Sequence, residues 1–121
     1  MKIIYTKSAP EPVGPYSQAI MHNDTLYCSG QIGINPEKGN LEEGIEAQAL
    51  QVMKNIKAVL SKAGLDFNNV IKTTCFLDDM KDFAIFNEIY SKYFISSPAR
   101  SCVQAKLPKG ALVEVEVTAV K

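Results

Sequence analysis

The chain has 121 residues, 46% of them hydrophobic and 21% charged, with thirteen Lys and Arg set against thirteen Asp and Glu. This is the length of one ordinary domain, residues 1–121, able to bury about two thirds of the surface its unfolded form exposes. The balanced charge offers no surplus of cations to displace counterions from phosphates, so no nucleic-acid partner is expected. No stretch approaches the ~20 apolar residues of a bilayer span, and "MKIIYTKSAPEPVGPYSQ" lacks the apolar centre of a signal peptide, so no membrane partner is expected either. The three cysteines, Cys28, Cys75 and Cys102, are widely and unequally spaced, and there is a single histidine, His22. That pattern seeds neither a disulfide framework nor a closed metal site, and a cytoplasmic location with reduced thiols is expected.

In chain order, "SAPEPVGPYS" reads as an irregular arm feeding a strand. The segment "QAIMHNDTLYCSGQ" has two apolar runs separated by "ND", and Asn and Asp tolerate the positive φ of a hairpin turn, which puts His22 at a turn. "INPEKGN" is punctuated by Pro36 and Gly39 and reads as a loop. Over residues 44–63, Ile45, Ala49, Val52, Met53, Ile56, Val59, Leu60 and Ala63 recur at spacings of three and four, which predicts a helix ended by Gly64. "NVIKTTCFL", residues 69–77, is rich in β-branched and aromatic residues and predicts a strand. A second helix is predicted from Met80 to Phe94, with Asp79 as N-cap and Phe83, Phe86, Tyr90 and Tyr93 on one face.

Two strands joined by "LPKG" close the chain. Val113, Val115, Val117 and Ala119 point one way and Glu114, Glu116 and Thr118 the other. In the preceding strand Ser101, Val103 and Ala105 share a face, opposite Arg100, Cys102 and Gln104. Pairing these strands as a hairpin, apolar faces together, would bring Arg100 and Glu114 onto one face. Two helices cover only one side of a sheet of five or six strands. The other side, expected to carry Thr73, Cys75, Cys102 and Gln104, is a mixed surface suited to a partner subunit.

Each chemically capable residue has a plain structural alternative. Arg100 offers two parallel N–H donors to a small carboxylate, or forms a structural Arg–Glu ion pair. Glu114 and Glu116 supply a general base, or decorate a solvated strand face. Cys102 acts as a nucleophile only with a base to form thiolate, and otherwise packs inertly. "SGQIG" presents backbone N–H groups to an anion, or is a strand end that needs backbone room.

Taken together, "GPYSQAI" (14–20), "SGQIGINP" (29–36), "QALQVMKNIKAVLSKAGL" (48–65), "VIKTTCFLDDMKDFAIFNEIY" (70–90), "PARSCV" (98–103) and "LPKGALVEVEVTAV" (107–120) resemble the RidA (YjgF-like) family of imine deaminases. The resemblance implies an α+β fold with a mixed sheet and two helices on one face. It further implies a likeness to trimeric chorismate mutase, and a homotrimer with ligand sites in the clefts between subunits. It implies hydrolysis of 2-imino acids such as 2-iminobutanoate and 2-iminopropanoate to 2-oxo acids and ammonium, without a cofactor or metal. Carried over by position, Arg100 grips the substrate carboxylate and Glu114 positions or activates water. Tyr16, Ser29, Gly30, Asn87 and Cys102 complete the pocket, Cys102 through its backbone carbonyl and packing. The "QAK" between "PARSCV" and "LPKG" is one residue shorter than is common in the family, a difference that a bulge or the turn must absorb.

Overall fold

The computed structural model describes all 121 residues as an α+β fold. Its strands are β1 (Lys2–Ile4), β2 (Ala19–His22), β3 (Thr25–Cys28), β4 (Gln31–Ile32), β5 (Ile34–Asn35), β6 (Asn40–Leu41), β7 (Val70–Leu77), β8 (Ala99–Gln104) and β9 (Val113–Val120). Its helices are α1 (Gly44–Lys62) and α2 (Phe83–Tyr93). Seven strands form one mixed sheet in the order β1-β2-β3-β9-β7-β8, with β4 also on β9, while β5 and β6 make a separate small ribbon. The "INPEKGN" segment expected as a loop is thus the turn of a ribbon, with Gly39 at φ +80°. The β2–β3 hairpin turns at Asn23, φ +54°, as its "ND" predicts.

The helices follow their sequence signals. α1 buries Ala49, Val52, Met53, Ile56, Val59 and Leu60, and Gly64 follows its end at φ +78°. Its buried face also carries Gln48, Gln51 and Asn55, which the apolar periodicity did not disclose. Buried polar groups must find partners. Asn55 Nδ2 donates to the carbonyls of Ile32 and Ile34 at 3.1 and 3.0 Å, and Gln48 Oε1 accepts from Leu112 N at 2.8 Å. The helix thereby holds the strand backbones beneath it. Asp79 caps a 3-10 turn, Met80–Asp82, by accepting from Lys81 N, and α2 begins after it.

The expected β8–β9 hairpin is not formed. The β7–α2–β8 connection returns the chain parallel to β7, as a helical crossover requires, so β8 takes one edge of β7 and β9 the other. Faces follow from this register. Arg100 pairs with Thr73 and Cys102 with Cys75, and both partners are fully buried beneath the helices. Arg100, Cys102 and Gln104 therefore lie on the helix-covered side, and Thr73 and Cys75 are core, contrary to their expected place on the open side. The open side instead carries Thr74, Phe76, Glu114, Glu116, Thr118 and Val103, because Val113, Val115, Val117 and Ala119 alternate into the core. The reversal leaves Val103, the most apolar side chain of this edge strand, half exposed, while Arg100 turns to Asn87 of α2 and Gln104 accepts from Met80 N in the turn before that helix.

Candidate functional site

Arg100 is held on the α2 side of β8. Its Nη1 donates to Asn87 Oδ1 at 2.7 Å, and its Cζ lies 4.7 Å from the centre of the Tyr90 ring and 5.6 Å from that of Phe83. Asn87 and Tyr90 are one helical turn apart, so both reach the same spot. The only ion pairs are Lys38–Glu42 and Lys106–Asp78, so Arg100 has no carboxylate within the chain. The Arg–Glu ion pair alternative therefore has no partner here. A planar guanidinium fixed on one nitrogen and flanked by ring faces retains N–H donors for an incoming carboxylate. Around it is an open cleft of about 300 Å³ lined by Asn87, Tyr90, Phe94, Ile95, Ser97 and Arg100.

Glu114 occupies a second cleft, on the other side of the sheet, of about 200 Å³, whose walls include Glu11, Tyr16, Gly30, Ile32 and Lys109. Its position depends on a bulge. Both β3 and β4 pair with the same edge of β9, and three residues (28–30) lie between Tyr27 and Gln31 opposite two (116–117) between Val115 and Thr118. The extra residue bends the strand beside Glu114. At Gly30 a Cβ would run into the Glu114 carboxylate, 2.9 Å from its Cδ, so glycine leaves the room that this side chain fills. Gly33 has a separate reason, since a Cβ there would stand 2.7 Å from the Cα of Gln48 in α1. The reading of "SGQIG" as a strand end needing backbone room describes both glycines. Partial burial pushes the Glu114 carboxyl above the ordinary carboxylate range, and the neighbouring Glu116 charge adds to the rise.

Tyr16 stands half exposed at the end of the N-terminal arm. Gln18, buried, ties that arm down: its Nε2 donates to the carbonyls of Thr6 and Pro10 at 3.0 and 2.9 Å, and its Oε1 accepts from Thr6 N at 2.8 Å. Ser29 Oγ donates to Ser17 O at 2.6 Å, binding the β3 end to the same arm. Cys102 lies beside Arg100 on the helix side, and burial raises its thiol despite the opposing influence of that guanidinium. Cys28 and Cys75 are pushed up to about 12 by burial. These are neutral thiols at physiological pH, which favours the packing alternative over a thiolate nucleophile. His22 is exposed at the far hairpin. No three His, Cys, Asp or Glu side chains converge as a metal site, and no helix is long and apolar enough to cross a membrane.

The expected site residues thus fall into two groups: Arg100, Asn87 and Cys102 on the helix side, and Tyr16, Gly30 and Glu114 on the open side, with Ser29 at the bulge between β3 and β4. Thr73, Tyr90 and Phe83 escaped sequence reasoning as neighbours of Arg100. The three-residue spacing of Asn87 and Tyr90 was the available signal.

Residues 6–121 match the family model described as Endoribonuclease L-PSP. The chain is 50% identical over 123 residues to the 2-iminobutanoate/2-iminopropanoate deaminase of Mus musculus, covering 99% of this chain and 91% of that one. It is 50% identical over 125 residues to a RutC family protein of Aquifex aeolicus, covering 100% of each. Among solved structures it is similar to RidA from an Antarctic Psychrobacter, with TM-score 0.97 and 44% identity over 100% of both chains. It is also similar to E. coli TdcF with bound serine, with TM-score 0.96 and 39% identity over 100% of this chain and 99% of that one.

Proposed function

Because this chain belongs to the YjgF/RidA family, the one described as Endoribonuclease L-PSP, we propose that it hydrolyses 2-imino acids such as 2-iminobutanoate and 2-iminopropanoate to 2-oxo acids and ammonium. The observation that carries the reading is the Arg100 guanidinium, held by Asn87 and two ring faces with no carboxylate partner of its own. In a deaminase of this kind Arg100 takes the substrate carboxylate in two-point hydrogen bonding. The imine carbon next to that carboxylate is electrophilic once its nitrogen is protonated. Glu114 holds a water and accepts its proton as the oxygen adds to that carbon. The resulting carbinolamine then expels ammonia, which takes up a proton to leave as ammonium, and the C=O of the 2-oxo acid forms. A raised carboxyl suits a group that must take a proton and return it. The chemistry demands orientation and an aimed water, and no cofactor or metal has a step in it.

Arg100 and Glu114 lie on opposite sides of one sheet, so a single chain does not bring them to one substrate. The proposal therefore includes a homotrimer, chorismate-mutase-like in its arrangement. In it the Arg100 cleft of one subunit faces the Tyr16–Gly30–Glu114 cleft of another. The unpartnered sheet face, with Ile3, Tyr27 and Val103 about half exposed or more, is the surface such an assembly would cover. A cytoplasmic location belongs to the same proposal. We do not extend the family's ribonuclease name to this chain, whose one histidine lies on a remote turn and whose net charge is zero.

A coupled assay tests the reading. A threonine dehydratase generates 2-iminobutanoate, semicarbazide traps the surviving imine, and this protein should lower the trapped amount. A second reading, carboxylate binding without turnover, is favoured by the serine bound in E. coli TdcF. Saturable binding of 2-oxobutanoate with no decrease in trapped imine would select it.

A further inference from the structure

Arg100 rests on a side chain that is itself pinned from three sides. The Tyr90 ring lies 4.7 Å from the Arg100 Cζ and is nearly parallel to the Phe94 ring, at 29° with centroids 4.3 Å apart. Its hydroxyl makes a buried hydrogen bond of 2.7 Å with Thr73 Oγ1. Thr73 is fully buried and lies in register with Arg100 across the β7–β8 pair. A phenol hydroxyl at the far end of the ring, bonded into the adjacent strand, stops the ring from swinging away from the guanidinium. Phe94 blocks movement along the helix, and Phe86, 5.7 Å away centre to centre, adds a second aromatic contact. The phenol stays neutral, since burial raises it further above its ordinary range.

From this geometry we infer that Tyr90, locked by Thr73 and Phe94, is a positioning residue that sets the plane of the Arg100 guanidinium and thereby selects a carboxylate over a neutral ligand of the same shape. The inference rests on the reading of Arg100 as the carboxylate-binding group. Asn87 fixes only one guanidinium nitrogen, which leaves rotation about that hydrogen bond free. The ring face removes this freedom, because a planar cation over a π-face is held flat as well as attracted. Thr73 and Tyr90 then serve ligand selection as well as packing.

The test compares the affinities of the assembled protein for 2-oxobutanoate and for its carboxamide, 2-oxobutanamide, by NMR titration. A packing role would weaken both ligands equally, whereas positioning through Arg100 moves their ratio. Wild type should prefer the carboxylate, and Arg100→Ala should abolish the preference. Tyr90→Leu should reduce the preference about tenfold, the scale of a desolvated cation–π contact. Tyr90→Phe and Thr73→Val, which keep the ring but break its anchor, should each reduce it about threefold, and together no more than either alone, because both remove one bond. If Tyr90→Leu does not fold, the Phe and Val variants decide the matter by the same ratio. An unchanged ratio in the folded Tyr90 variants, or an equal loss for both ligands, overturns the inference. If Arg100→Ala keeps the wild-type preference, the carboxylate reading falls and this inference with it. Arg100-dependent preference without imine hydrolysis sinks the deaminase reading alone and leaves Tyr90 in its role.

Discussion

At Arg100 the two possible roles predict opposite orders of damage. No ion pair is lost when it is replaced, so Arg100→Ala should leave melting temperature and assembled mass near those of wild type. Imine hydrolysis should be nearly abolished, since an unpaired bound carboxylate costs on the order of 2 to 5 kcal/mol. Arg100→Lys should assemble and recover only part of the activity, because an ammonium lacks the planar fork. A loss of stability that matches the loss of activity would instead mark a structural residue. At Glu114 the prediction concerns pH. Its carboxyl is raised by burial and then by Glu116, so the stability it contributes is fully present below its unfolded value and is lost as pH rises through the raised one. Glu114→Gln should therefore melt higher than wild type at neutral pH, with the advantage vanishing as pH drops below about 4. The same variant should turn over roughly a hundredfold more slowly. Glu116→Gln removes the like charge and should shift the acid limb of the pH–rate profile to lower pH while leaving the plateau close to wild type.

At the scale of elements, the β3–β4 bulge and the start of α1 make two glycines unequal. A methyl group at Gly30 meets the end of a side chain, the Glu114 carboxylate, which rotates aside at little cost. A methyl group at Gly33 meets the Gln48 Cα and carbonyl of α1, at 2.7 and 2.8 Å, and backbone cannot rotate aside. Gln48 also holds Leu112 N and the Glu42 carbonyl, so pushing the helix away strains both bonds. Gly33→Ala should destabilise by roughly 1 to 3 kcal/mol, read as a fall in melting temperature. Gly30→Ala should leave the melting temperature nearly unchanged and remove most of the hydrolysis. Equal effects on stability would mean that Gly30 also serves the backbone.

For the whole molecule the decisive fact is that Arg100 and Glu114 face away from each other across the sheet. A trimer in which each site joins two chains makes a quantitative prediction. Arg100→Ala and Glu114→Gln are each nearly inactive alone, yet unfolding and refolding them together in equal amounts should regain about a quarter of wild-type activity, because half the sites receive a native Arg100 and half of those a native Glu114. Sedimentation equilibrium of the wild type should give about three chain masses. No recovery on mixing, or a stable monomer, would overturn the shared site and with it the pairing of Arg100 and Glu114 on one substrate.

Local pattern determined much of this protein. The period of α1, the "ND" turn, the alternation that sends Val113, Val115, Val117 and Ala119 inward while Glu114 points out, and a cap at Asp79, which closes the 3-10 turn before α2 while the helix itself starts from Asp82, are all properties of neighbouring residues. They were legible because propensity and periodicity act over a few positions. The face of β8 was not. "ARSCVQ" alternates, but alternation gives two faces without saying which is inside, and the answer depends on the strand's neighbour. Only the parallel crossover through α2, which sets Arg100 beside Thr73 and under Tyr90, decided it. The bonds of Asn55 to Ile32 and Ile34, of Gln48 to Leu112 and of Tyr90 to Thr73 were hidden for the same reason, since these partners lie 17 to 64 residues away and a polar side chain carries no sequence mark of the distant group it satisfies. The residues proposed for the chemistry were thus nameable from the chain, while their separation onto two sides of one sheet was a decision of tertiary structure alone.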